Sequence, residues 1–349
     1  MDKTKSQELP TPDRIMQIGM GFWASKILLA AVQFQLFTLL AENEKMSGAQ
    51  IKSYLDLQCS DRHVFDFLDA LTSFGFLQRD GLLYKANYSN SATTDVYLDK
   101  KKPTYIGGML EMANHRLYRF WGDLENGLKT GLPQNEIKNG ADHPFAELYK
   151  SPEKLEEFIH AMTGIQMGNF MSFAEKFDFS KYKTLVDAGG SGAMLSIMVA
   201  KHHHHMHCTS FDLPPVEPVA KANIKKFHLS GKVTTASGDF FSDPIPTADI
   251  VVMGNILHDW DEEKKIFLMK KAYAALPGNG AFVAIESIID DERKENTFGL
   301  MISLNMLIET GKGFDYTFAD FKKWAKIVGF SSTAIIPLAG PSSAAVAYK

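Results

Sequence analysis

Two cysteines among 349 residues, Cys59 and Cys208, are too few for a disulfide framework or a cysteine-based zinc site. Positive charge is not in excess either: 37 Lys and Arg stand against 41 Asp and Glu, a formal net charge of −4. A surface that binds phosphate needs a cationic excess, so nucleic acid is not an expected partner. No apolar run reaches the roughly 20 residues of a membrane span. Met1 is followed by Asp, Lys and Thr rather than by a basic and then apolar leader. A cytoplasmic protein without a membrane partner is therefore expected, with room for a sizeable core and two domains.

What is present begins with apolar surface. Residues 1–12 are polar and proline-bearing and are expected to be mobile. Arg14 to Leu40 reads as a long helical stretch interrupted by Gly19 and Gly21, in which Ile15, Met16, Ile18, Met20, Phe22 and Trp23 leave little polar face. A helix apolar nearly all round must bury several sides, and in so small a leading domain a second subunit is the expected cover. Residues 46–86 read as a winged helix. Ser47 caps a helix over Ala49–Leu55, and Ser60 caps a second in which Val64, Leu68, Leu71 and Phe74 share a face. Phe76 to Tyr84 reads as a hairpin turning at Asp80-Gly81. DNA binding is disfavoured because the second helix sets Asp61, Asp66 and Asp69 against Arg62, and acids repel phosphate. A packing or dimerisation domain over residues 1–102 is expected instead.

Residues 103–178 read as helices rich in methionine and aromatics, among them Met112, His115, Trp121, Phe158 and Met162, with loops at Pro133 and Asn139-Gly140. Most of these residues pack a core; a few can line a pocket for a flat apolar ligand, since methionine adapts its shape. This segment is assigned to a second domain, 103–349.

From Thr184 the pattern becomes strand, helix, strand. The run T-L-V-D-A-G-G-S-G-A-M-L turns through Gly189, Gly190 and Gly192 into a helix from Met194. Strands are expected at Cys208–Leu213, Val233–Ala236, Ile250–Met253 and Gly280–Ile289, helices at Pro218–Phe227, Asp261–Ala275, 296–309 and Phe318–Val328, and a closing hairpin from Thr333 to Tyr348. Such alternation implies a doubly wound, mostly parallel sheet that binds ligands at the carboxyl ends of its strands. Three strand ends offer ligand groups: the glycine turn, Asp212, and Asp239 with Phe240. Singly each acid reads as a turn residue; together they suit a nucleoside, the acid for ribose hydroxyls and the aromatic for adenine. His258, after the fourth strand and beside Asp259, Asp261 and Glu262, reads either as a general base or as a loop histidine fixed by acidic neighbours.

I-L-H-D-W-D-E-E-K from Ile256, F-D-L-P from Phe211, G-D-F-F from Gly238 and the glycine turn together resemble the S-adenosylmethionine-dependent O-methyltransferases of the plant caffeate and vertebrate acetylserotonin type. Bacterial relatives in that family act on hydroxylated natural products. The resemblance spans essentially the whole chain. It implies an α/β, Rossmann-like doubly wound methyltransferase sheet behind an N-terminal, mostly helical winged-helix dimerisation domain. It further implies a homodimer, S-adenosylmethionine as methyl donor with S-adenosylhomocysteine as product, no metal, and a small hydroxylated aromatic acceptor. On matching positions, His258 is the base, and Glu286 in A-I-E-S and Asp315 in G-F-D-Y-T orient it, Asp315 standing where the family usually has Glu. Asp212 takes the ribose, Asp239 and Phe240 the adenine, and Gly189 passes the amino-acid part. Asp187, Leu213, Gly238 and Gly254 complete the cofactor set. Phe158 and Met162 line the pocket near the reactive methyl, and Met306, Met112 and His115 serve the acceptor.

The chain also departs from the family pattern. Ala193 replaces the usual final glycine of the turn, and Gly254 stands where many relatives carry a lysine. The run His202 to His205 with His207 reads as an exposed loop rather than a metal site. Rival readings are methylation of carbon or nitrogen, a relative that no longer transfers methyl, a nicotinamide dehydrogenase, and a nucleoside-sensing DNA-binding regulator. The dehydrogenase gives Asp239-Phe240 and L-H-D-W no job, and the regulator lacks a basic recognition helix.

Overall fold

The computed structural model describes residues 10–139 and 151–349. Most of the polar N-terminal segment and the expected turn at Gly140 lie outside the described residues. The chain divides into two compact units, Met1–His115 and Arg116–Lys349. Leu110 packs against the core of the first unit, so the helix Gly107–Met112 belongs to it, beyond the boundary that the sequence suggested after residue 102.

The first unit is mostly helical. The leading stretch is three helices rather than one: Asp13–Gly19, Gly21–Gln33 and Leu36–Asn43. The break at Met20 falls between the two glycines, as the pattern indicates. The break before Leu36 comes from Gln35, whose φ of 54° is left-handed and cannot continue a helix. Ile15, Met16, Ile18, Phe22 and Trp23 are all exposed, which leaves an apolar face uncovered. Among the described residues no single helix is long and apolar enough to cross a membrane.

Behind this face, Leu36, Phe37, Leu40, Ile51, Leu68 and Leu71 form the core of the unit. Ser47 caps the helix Gly48–Tyr54 through a reciprocal box with Gln50, and Ser60 caps Asp61–Ser73. Phe74 is exposed rather than buried with Val64, Leu68 and Leu71, because the helix ends at Ser73. The hairpin also differs from expectation. Strand β1 (Met46–Ser47) pairs with β3 (Asn87–Asn90), which pairs antiparallel with β2 (Leu77–Asp80), giving the order β1-β3-β2. The return strand starts at Asn87, not after Gly81. The Arg79 guanidinium donates to the carbonyls of Gly81 (2.7 Å) and Leu83 (3.0 Å), which holds a wider loop and leaves Leu82, Leu83 and Tyr84 exposed.

The second unit is built on a seven-stranded sheet. Its strands are β4 (Thr184–Ala188), β5 (His207–Asp212), β6 (Val233–Ser237), β7 (Ile250–Gly254), β8 (Ala281–Glu286), β9 (Ser332–Pro337) and β10 (Ser343–Tyr348). They stand in the order β6-β5-β4-β7-β8-β10-β9, with only β10 antiparallel to its neighbours. Side chains alternate across the sheet. Ile250, Val252, Val283 and Ile285 join one core with the helix Met194–His202 and with Phe173 and Ala174 of Pro152–Lys176. Val251, Met253, Phe282 and Ala284 join the other, against the helices Glu262–Ala275 and Phe318–Val328. Each of the larger of these side chains contributes about 1.5–3 kcal/mol on burial, so the doubly wound arrangement follows from covering both faces. Strand β8 is shorter than the expected Gly280–Ile289: its pairing with β10 stops at Glu286, and Ile289 forms an isolated bridge to Thr317.

Candidate active site

The parallel strands β6, β5, β4, β7 and β8 all end along one edge of the sheet, and in that order they present Asp239, Asp212, the glycine turn, Gly254 with His258, and Glu286. The chain reverses direction of winding between β4 and β7, the place where open α/β sheets bind ligands.

At the nucleoside half of this edge, backbone hydrogen bonds set the geometry. Gly189 has a φ of 81° and donates its N–H to the Phe211 carbonyl at 2.8 Å, locking the turn to β5. A Cβ on Gly189 would stand 2.4 Å from Ile256 Cδ1, and the left-handed φ strains any other residue there, so glycine is the residue this turn favours. Asp212 accepts from the N–H groups of Ser191 (2.8 Å) and Leu213 (2.7 Å), one on each carboxylate oxygen. Burial raises its pKa against those two hydrogen bonds. Each oxygen keeps a lone pair for a hydroxyl, which suits a ribose diol. Asp239 accepts from the Phe241 N–H at 2.8 Å and retains its second oxygen. Gly238 packs on the Phe211 ring, where a Cβ would come within 2.7 Å. Asp187 is buried under Gly190 rather than at the rim, and burial and then Asp212 push its pKa up to about 8. These groups fit a nucleoside with a polar tail.

Ala193 caps the helix Met194–His202 at a φ of 63°, the left-handed conformation a glycine would adopt without strain. A Cβ on Gly254 would meet Phe170 Cε1 at 3.9 Å and nothing closer, so the edge is open there. Phe158 and Met162 are one turn apart and half-buried on Pro152–Lys176, the helix whose Ile159 approaches Gly192 and whose Phe170 approaches Gly254. Met112 and His115 belong to the first unit. His203 and His205 place Nε2 against the carbonyls of Ala174 and Phe179, in a loop that follows the helix Met194–His202. Among the described residues no cluster of His, Cys, Asp or Glu is arranged to hold a metal ion.

The other half of the edge is a buried charge cluster. His258 sits in the turn Leu257–Asp259, and its backbone N–H donates to Glu286 Oε1 at 3.1 Å, which ties the turn to the end of β8. Its Nδ1 lies 3.4 Å from Asp315 Oδ2 and its Nε2 lies 3.6 Å from Asp259 Oδ1. Burial disfavours a charged imidazole, but the carboxylates of Asp315, Asp259 and Glu286 outweigh it and hold the His258 pKa up at about 10. Burial raises the pKa of Glu286 and pushes that of Asp259 up to about 6, with His258 opposing both. Ser303 Oγ accepts the Asp315 N–H at 3.1 Å, and Met306 is buried one turn further along the same helix, Thr297–Glu309. The structure thus brings His258, Glu286 and Asp315 together and sets Met306 on the helix that holds Asp315.

Two members of this cluster escape a reading of motifs. Tyr316 is fully buried beside Glu286, which raises its pKa further after burial has done so. Lys265 is also fully buried, on the helix Glu262–Ala275, where burial brings its pKa down to about 8. A signal for Lys265 was available: it shares the apolar stripe of Leu268, Met269 and Ala272, where a lysine is out of place.

Comparison with known proteins agrees with this architecture. A family model described as an O-methyltransferase domain matches residues 121–331, and one described as an O-methyltransferase dimerisation domain matches residues 16–100. The chain is 34% identical over 338 residues to the tetracenomycin polyketide synthesis 8-O-methyl transferase TcmO of Streptomyces glaucescens, covering 97% of each chain. It is 30% identical over 282 residues to the N,N-dimethyltransferase OxyT of Streptomyces rimosus, covering 79% of this chain and 78% of that one. The crystal structure of human N-acetylserotonin methyltransferase in complex with S-adenosylmethionine superposes with a TM-score of 0.89 at 27% identity, over 100% of this chain and 99% of that one. The chain belongs to the S-adenosylmethionine-dependent O-methyltransferase family.

Proposed function

We propose that the protein is a cytoplasmic homodimer that methylates a hydroxyl of a small aromatic acceptor, with His258 as general base. The observation that carries this reading is the buried imidazole set between Asp315 at Nδ1 and Asp259 at Nε2, with Glu286 holding its backbone. With the proton on Nδ1, the nitrogen that faces Asp315, Nε2 is left as the acceptor of the substrate proton; the surrounding carboxylates stabilise the imidazolium that forms. A phenol of pKa about 10 matches such a base, and a positioned base contributes about 10²–10⁴-fold. S-adenosylmethionine supplies an electrophilic methyl when bound. Asp212, Leu213, Gly238, Asp239 and Phe240 hold its nucleoside, Asp187 and Gly189 shape the turn beside its amino-acid part, and Gly254 leaves room there. Phe158, Met162 and Met306 surround the acceptor. The exposed apolar face of Ile15, Phe22 and Trp23 lies in the segment matched by the dimerisation model and is covered by the second subunit.

The name of TcmO makes hydroxylated polyketides the first acceptors to try. The name of OxyT makes an amine the competing acceptor. A neutral amine is already nucleophilic and has no proton to lose before attack, so the acid-flanked histidine favours the hydroxyl. Calorimetry is expected to show binding of S-adenosylmethionine and none of NAD, and a screen of phenolic, polyketide and amine acceptors to show a methyl gain by mass on oxygen. Binding of NAD alone, or methyl gain confined to nitrogen, would overturn this reading.

A further inference from the structure

The general-base reading leaves Lys265 without a task. A buried ammonium carries a desolvation cost unless something nearby compensates it. Here the ammonium of Lys265 donates to the Trp260 carbonyl and stands 3.6 Å from the centroid of the Phe314 ring and 5.8 Å from that of Tyr316. Trp260 lies two residues past His258, and Phe314 directly precedes Asp315. The two segments are in close contact there, since a Cβ on Gly313 would come within 2.5 Å of the His258 carbonyl and 2.6 Å of that of Asp259. One side chain from a third segment therefore touches both the segment that carries the base and the segment that carries its acid.

We propose that Lys265 is a positioning residue that pins the Leu257–Trp260 turn to the Gly313–Tyr316 segment, fixing His258 against Asp315, and whose charge restrains the proton affinity of the imidazole. Every charged or titratable group facing His258 enters this balance. Asp259 lies on its own turn, Glu286 at the end of β8 and Asp315 on the segment before the last helix; coupled to these carboxylates are Tyr316 on that same segment and Lys265 near the start of Glu262–Ala275, where Asp261 also acts on Lys265. Three carboxylates near one imidazole favour its protonated form, which cannot accept a proton. The Lys265 cation, coupled to the same three carboxylates, offsets part of their pull on His258. It keeps the imidazole more easily deprotonated and neutralises part of the carboxylate charge.

The inference rests on His258 being the base, and the test separates the two claims. Lys265→Met removes the charge and keeps the length; Lys265→Gln removes the charge and keeps a donor for the Trp260 carbonyl. In the full-length protein without ligands, the imidazole resonance of His258 is expected to titrate about one pH unit higher in both variants. With an acceptor identified by the screen above, kcat is expected to fall about tenfold below the wild-type value near neutrality, with the acid limb of the pH profile displaced to higher pH and the Kd for S-adenosylmethionine unchanged. Lys265→Arg, which keeps the charge, is expected to restore the titration. Unchanged titration and unchanged kcat in the charge-removing variants, with only Tm lowered, would overturn the proposal and leave Lys265 a packing residue. If Lys265→Met fails to fold, Lys265→Gln gives the same reading. A displaced titration with an unaltered rate upholds the electrostatic role of Lys265 and counts instead against His258 as the base.

Discussion

The two halves of the ligand edge are built by different physics. In the nucleoside half, each functional group lies within a few residues of a strand end and is fixed by backbone hydrogen bonds: Asp212 by Ser191 and Leu213, Asp239 by Phe241, and the turn by Gly189 to Phe211. In the base half, separate segments bring His258, Glu286, Asp315 and Lys265 into a buried volume, where single hydrogen bonds to backbone, from His258 to Glu286 and from Lys265 to Trp260, join a set otherwise related by charge. A site held by backbone survives the loss of one side chain with its shape intact. A site held by buried charge responds as a unit, because each carboxylate depends on the cations that remain.

The largest expected effect tests whether the halves separate at all. His258→Gln is expected to lower kcat by about 10²–10⁴-fold while the Kd for S-adenosylmethionine, measured by calorimetry, stays within about threefold of the wild type. A Kd loosened tenfold or more would show that the charge cluster also shapes the nucleoside half, and the comparison would fail. The converse change is smaller. Asp212→Ala removes charged acceptors worth about 1.5–3 kcal/mol, so the Kd is expected to rise about tenfold to a hundredfold while kcat at saturating S-adenosylmethionine is kept. A fall in kcat of the same size would mean that the ribose contact also serves the chemical step.

The same contrast explains what the sequence could show. Strand–turn–helix order, the glycine turn and the acids at Asp212 and Asp239 are local, since periodicity and turn chemistry act over a few residues. The sheet and its helices were therefore legible to within a residue or two, except where pairing decides, as at the end of β8. The hairpin after Gly81 was misjudged because Arg79 reaches carbonyls two and four residues on, a contact that local pattern does not encode. In the base half, His258 was legible as a candidate from its place after the fourth strand among acids, but Glu286 and Asp315 were nameable only through the family resemblance, because nothing in the chain between them requires that they meet. Lys265 and Tyr316 were missed for the same reason: their meaning depends on which segments fold over them.

The smallest expected effect probes the backbone half at the left-handed Ala193. Ala193 is fully buried at a φ of 63°, a conformation that costs an L-residue about 1–2 kcal/mol. Ala193→Gly removes that strain, but it also loses a buried methyl worth about 0.8 kcal/mol. The added freedom of the unfolded chain takes away about 0.4–1 kcal/mol more. These terms cancel to within about 1 kcal/mol, so Tm is expected to move by no more than about 4 °C. The turn keeps its backbone path in either variant, held by the Gly189 and Asp212 hydrogen bonds, so the Kd for S-adenosylmethionine is expected to stay within about threefold. A tenfold change in Kd on gaining the glycine would mean that the Ala193 methyl, and not the backbone, shapes this end of the turn, and the nucleoside half would then depend on packing as heavily as the base half depends on charge.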